Sequence, residues 1–208
     1  GERVWVGTDR GVGWWRDGRY EPLHRPELDE AFVMALRSDR LGRLWIATLT
    51  GALVLERPEL GAASPVRRLG AAEGLTDEAI WGLGVDRLGG VWLASNGEGA
   101  FYVAADWRIE RLGVEDGMVD PFVWQNLVDR DGRVWFYTNR GIDRLEDGTF
   151  RHFGPGDGLS VLAGIAVFGV MMLLMMMTGL DQVTAFSAVA ASLNSAETAS
   201  SPSAATST

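Results

Sequence analysis

A tryptophan recurs through this chain in one fixed setting, and that setting limits the fold more than any other feature. Asp129-Arg130-Asp131-Gly132-Arg133-Val134-Trp135 is followed by Thr138 and Gly141. Asp39…Gly42…Trp45…Thr48…Gly51 repeats it. Asp86…Gly89…Trp92…Ser95…Gly99 repeats it again, its last turn lengthened at Gly97-Glu98. Val4-Trp5-Val6-Gly7-Thr8…Gly11 carries the second half of the motif. The four tryptophans, Trp5, Trp45, Trp92 and Trp135, are 40, 47 and 43 residues apart. A period of that size in short β-rich units predicts radially repeated sheets.

Each part of the motif has a chemical reason. Aspartate bonds its side chain to backbone N–H groups a few residues on, and glycine takes a positive φ without a Cβ clash, so D-x-x-G predicts a tight turn. Trp45, Trp92 and Trp135 bring large apolar areas to the space between sheets and are assigned to packing. Mostly apolar segments precede the turns: 32–38, 79–85 and 122–128. They read as inner strands covered on both faces. Third strands are expected at Ala52-Leu53-Val54-Leu55, Ala100-Phe101-Tyr102-Val103 and Ile142-Asp143-Arg144-Leu145. Outer strands are expected at Val66-Arg67-Arg68-Leu69 and Thr149-Phe150-Arg151-His152-Phe153, and units close at Gly74-Leu75-Thr76, Gly117-Met118-Val119 and Gly158-Leu159-Ser160.

These co-registered motifs resemble the two-component regulator propeller repeat over residues 1–160. The resemblance implies an all-β, partial β-propeller of about four four-stranded blades. It further implies the extracytoplasmic sensor half of a signalling receptor, with partner signalling domains beyond this chain. Gly1 falls inside a repeat, which reads as a fragment that has lost its start.

The composition changes at Ser160. Residues 161–180 run without a charge, through Met171-Met172-Leu173-Leu174-Met175-Met176-Met177. That length predicts one transmembrane helix and hence membrane anchoring. Residues 165–194 resemble the last pore repeat of Trk-type potassium uptake proteins, with 181–194 as a short pore-helix-like segment. Ser195-Ala196-Glu197 stands where that family has its filter glycines, so the carbonyl ring that coordinates a cation is missing. Residues 195–208 read as a disordered tail.

Net charge is −9 and all 19 basic residues are arginine, which argues against a nucleic-acid partner. With no cysteine and only His24 and His152, no metal or catalytic cluster is expected. The repeated aspartates Asp39, Asp86 and Asp129 are explained by turn formation rather than metal binding. No cofactor and no catalytic residue is expected, so the chain reads as a non-enzyme.

The candidate binding residues lie where the repeats differ. Met34, Trp81 and Trp124 occupy one position at the start of the inner strand, followed by Ala35, Gly82 and Gln125. The second turns, with Asn96, Asn139 and Arg140, are expected to open onto the same face. An aromatic floor of Trp81 and Trp124 beside Gln125 and this polar rim suits a small polar ligand such as a carbohydrate. The leading functional reading is therefore a ligand-sensing propeller. The alternative is a fragment of a potassium transport membrane protein fused to propeller repeats.

Overall fold

The computed structural model describes residues 4–76 and 78–159. Their strands run β1 (Val4–Thr8), β2 (Gly11–Arg16), β3 (Arg19–Pro22), β4 (Val33–Ser38), β5 (Leu44–Thr48), β6 (Gly51–Leu55) and β7 (Val66–Leu69). They continue β8 (Ile80–Val85), β9 (Val91–Ser95), β10 (Ala100–Val103), β11 (Ile109–Leu112), β12 (Val123–Val128), β13 (Val134–Thr138), β14 (Gly141–Glu146) and β15 (Thr149–Phe153). Each sheet is an antiparallel meander: β4-β5-β6-β7, β8-β9-β10-β11 and β12-β13-β14-β15, preceded by the three-stranded β1-β2-β3. We call these blades B, C, D and A. The expected third and outer strands agree with these bounds to within a residue. The expected count of four strands per blade holds for B, C and D, whereas blade A has three among the described residues. The expected spanning helix 161–180, the segment 181–194 and the tail 195–208 lie outside the described residues. Among the described residues, no helix is long and apolar enough to cross a membrane.

The blades stand in chain order, inner strand beside inner strand: β1 by β4, β4 by β8 and β8 by β12. Three apolar clusters fill the spaces between them. Val12, Leu23 and Leu28 of blade A and its linker meet Leu44, Ile46 and Leu55 of B. Trp45 and Val54 of B meet Leu83, Leu93 and Phe101 of C. Trp92 and Ala100 of C meet Val134 and Phe136 of D. The linkers contribute buried apolar side chains: Leu23 and Leu28, then Leu75 and Ala79, then Met118. This is why a large residue follows the unit-closing glycine at 75 and 118.

Not every inner strand is covered on both faces as expected. Strand β8 nearly is, but β12 exposes Trp124, Gln125 and Leu127. Blade D ends the row, so among the described residues no further sheet covers the far face of β12.

The second turns bind one blade to the next. Thr8, Thr48, Ser95 and Thr138 donate their hydroxyls to the carbonyls of Gly11, Gly51, Gly99 and Gly141. The glycine N–H groups at 11, 51 and 99 donate to Ala31, Glu78 and Pro121 in the linkers that follow. At Gly51, φ is +93° and a Cβ would lie 2.5 Å from the Leu69 carbonyl oxygen, so only glycine fits.

Candidate functional site

The aspartate turns are closed by the motif's own side chains. Asp39 Oδ1 accepts from the N–H groups of Leu41 and Arg43 at 2.9 and 3.0 Å. Its Oδ2 accepts from Arg43 Nε and, at 2.8 Å, from the Trp45 indole. Asp129 repeats the set with Asp131, Arg133 and Trp135. The tryptophan six residues after the aspartate is thus a hydrogen-bond donor to the turn as well as a packing residue. Burial pushes the Asp39 carboxyl upward, but the bonds from Trp45 and Arg43 together outweigh it and hold it below its ordinary value. At Asp129 the Trp135 bond, with those from Arg133 and the backbone, holds the carboxyl well below the usual carboxylate range.

Blade C solves the same turn differently. Gly90 stands where B and D have arginine, and a Cβ there would lie 2.2 Å from the Tyr102 hydroxyl. Tyr102 reaches through that gap and donates to Asp86 Oδ2 at 2.8 Å. Burial, and then the Asp86 carboxylate, push the Tyr102 phenol up to about 12.

At the opposite end of the blades lie the residues singled out from sequence. The inner-strand register slips between Val33 and Ala35, between Ile80 and Gly82, and between Val123 and Gln125. Met34, Trp81 and Trp124 are therefore each the extra residue of a β-bulge, a device that re-aims a side chain. The Trp81 and Trp124 rings meet with centroids 5.2 Å apart, and Trp124 is 42% exposed. The Trp124 indole donates to Asn139 Oδ1 at 2.7 Å, so Asn139 orients the ring as well as edging it. Gln125 is exposed, accepts from the Asn126 N–H and lies over Gly82 of β8. Asn96 is exposed and its backbone bridges Phe122, two residues before Trp124. Arg140 is exposed, its N–H held by the Thr138 hydroxyl. The structure thus joins Trp81, Trp124 and Asn139 by direct contact and sets Gln125 beside them. It places Asn96 and Arg140 in second turns at the same end, with no side-chain hydrogen bond to the pair.

No protein-family model matches the chain, and no curated protein matches it in sequence. Solved structures do. The extracellular domain of the hybrid two-component system BT3049 from B. thetaiotaomicron is 16% identical with a TM-score of 0.65, covering 76% of this chain and 22% of its own. That of the hybrid two-component system BT4673 from the same organism is 13% identical with a TM-score of 0.57, covering 72% and 20%. Virginiamycin B lyase from Staphylococcus aureus is 19% identical with a TM-score of 0.58, covering 73% and 52%. These likenesses show a shared fold. The chain spans about a fifth of the sensor domains and about half of the lyase. They correct one expectation, that the chain is no enzyme. A lyase shares the fold at the same level of similarity as the sensor domains, so a propeller without a recognised catalytic cluster does not exclude catalysis.

Asp143 and Asn126 are among the buried polar residues that escaped the sequence reading. Asp143, fully buried in β14, accepts from the Val119 N–H at 2.8 Å and pairs with His152 Nδ1 at 3.0 Å. It ties the C-to-D linker to blade D. Asn126 is 4% exposed, and both its amide atoms lack a hydrogen-bond partner. Each was detectable as a polar residue at an apolar repeat position, since Leu53 and Phe101 align with Asp143, and Leu36 and Leu83 with Asn126.

Proposed function

We propose that this chain is part of a ligand-sensing β-propeller that takes a small polar ligand, such as a carbohydrate, on the Trp81–Trp124 face. The observation that carries this reading is the bulge at the same inner-strand position in three consecutive blades. The bulges present methionine at 34 and tryptophan at 81 and 124, followed by the different neighbours Ala35, Gly82 and Gln125. Packing positions repeat from blade to blade, whereas a position that touches a ligand spread over several blades is free to vary. An exposed indole whose N–H is already satisfied offers its face for stacking on a sugar ring. Gln125, Asn139 and Arg140 supply hydrogen-bonding groups at its edge. The fold shared with extracellular sensor domains supports placing the propeller outside the cytoplasm, in a signalling receptor. Tryptophan fluorescence of the full chain, titrated with a panel of oligosaccharides, tests the site. Binding is expected for at least one sugar and is lost in the Trp81→Ala/Trp124→Ala double variant. Binding that survives the double substitution places the site elsewhere.

A further inference from the structure

At the aspartate-turn end, each gap between blades starts from a pair of rings or a single indole on the preceding blade. The connection between the third and outer strands of the following blade decides whether that gap is filled. Between A and B, Trp5 and Trp14 lie 5.0 Å apart, and the 3₁₀ segment Pro58–Ala63 of B packs Gly61 against Trp14. A Cβ at Gly61 would lie 2.9 Å from the Trp14 ring. Between B and C, the loop after β10 inserts Trp107, its ring 5.7 Å from Trp45. The guanidinium carbons of Arg43 and Arg67 lie 4.4 and 4.2 Å from the Trp107 ring centroid. Between C and D, the corresponding connection is the short turn at Asp147-Gly148, which carries no such plug. A cavity of about 550 Å³ is left above Trp92 and Tyr102, whose rings are 4.8 Å apart.

The charge of this gap also departs from the repeat. Asp39 is neutralised by Arg43, and Asp129 by Arg133. Asp86, on the cavity wall, has the neutral Tyr102 hydroxyl instead, and among the described residues no guanidinium reaches its carboxylate. Asp131 and Glu146 on the lining are paired with Arg133 and Arg144, and Asp147 adds a further carboxylate. Of the two lining arginines, Arg133 is already engaged by Asp129 and Asp131. The gap therefore lacks an inserted indole like Trp107, Trp92 meeting Phe136 of blade D edge-on at 5.6 Å instead, and Asp86 lacks the ion pair that Asp39 and Asp129 have, with Arg87 and Arg133 on the cleft lining.

We propose that the cleft between blades C and D binds a small cationic aromatic molecule, its ring on the Trp92–Tyr102 pair and its positive charge at Asp86. The internal precedent is Trp107, an aromatic ring held in the equivalent gap between an indole and two cations. Here the protein supplies the aromatic floor and the anion, and the ligand supplies the second ring and the cation. The cleft lies at the opposite end of the blades from Trp81 and Trp124, so it stands apart from the proposed sensing face.

Calorimetric titration of the full chain with tryptamine tests this, with indole-3-acetate as a control of the same ring and opposite charge. Saturable tryptamine binding is expected, with indole-3-acetate about tenfold weaker or more, the effect of one charge-assisted contact. Asp147→Trp, in an exposed turn whose φ of +50° is in the same region as the +72° of Trp107, should fill the cleft and abolish binding while leaving the melting temperature unchanged or raised. Three outcomes overturn the proposal. They are no saturable tryptamine binding, equal binding of indole-3-acetate to the unaltered protein, and undiminished binding by a folded Asp147→Trp variant.

Discussion

Asp39 carries four donors on two oxygens, and that saturation explains why a single residue type recurs at the turn. Asparagine presents one acceptor and one donor, so its amide N–H₂ would face the Arg43 and Trp45 donors. Asp39→Asn should cost about 3 kcal/mol near neutral pH, the scale of breaking a buried ion pair while the Arg43 partner stays in place. The folded carboxyl lies below its ordinary value, so its contribution is complete above the unfolded value near 4 and fades as pH falls toward the folded one. Urea unfolding of the two proteins should show the gap narrowing below about pH 4; a gap that stays constant into acid would refute the assignment. Tyr102 acts at the other end of the scale. Its raised value means that stability is intact below about pH 10 and lost as pH rises toward about 12. Tyr102→Phe, which cannot ionise, should unfold with less dependence on pH in that window. An alkaline unfolding profile identical to that of the parent would remove the Tyr102–Asp86 bond from the account.

The same tryptophan has different worth in different blades, because its value depends on what stands against the sheet. Trp45 and Trp92 are buried between blades, whereas Trp135 is half-buried, flanked by Phe153 and Arg144 of its own sheet. Trp92→Ala should therefore cost about 3–5 kcal/mol, and Trp135→Ala distinctly less, in urea titrations read by circular dichroism. Equal losses would mean that the blade D surface is covered in solution as the others are. Asn126 is a different kind of departure: an amide in an inner strand where Leu36 and Leu83 stand, with both polar atoms unpaired. Asn126→Leu restores the repeat and removes two unsatisfied groups, so it should stabilise the protein by about 1 kcal/mol. Destabilisation would point to a partner for that amide, such as a buried water.

At the scale of the whole molecule, the repeat made strand order, turn ends and inter-blade tryptophans readable in the sequence, because every copy reports on the others. What remained unreadable lies where a copy departs from the pattern and the compensation is distant in sequence. The partner of Gly90 is Tyr102, that of Asp143 is Val119, and the plug over Trp45 is Trp107, all fixed by packing rather than spacing. The candidate face was half legible: variable positions marked Met34, Trp81 and Trp124, while the bulges that aim them needed the register. Because the main contacts between the described blades run between neighbours, stability should behave as blade terms plus interface terms, as in other repeat proteins. Blades B and C each have two interfaces, and every residue of β5, β6 and β9 is buried. Blade A has one interface, and its β1 is nowhere fully buried, while β15 carries exposed residues along its length. Native-state hydrogen exchange should therefore grade from the slowest amides in β5, β6 and β9 outward to the fastest strand amides in β1 and β15. Adding Asp39→Asn should accelerate exchange in blades B and A more than in D, since the A–B interface depends on blade B. A uniform acceleration across all four blades would show that they unfold as one cooperative unit instead.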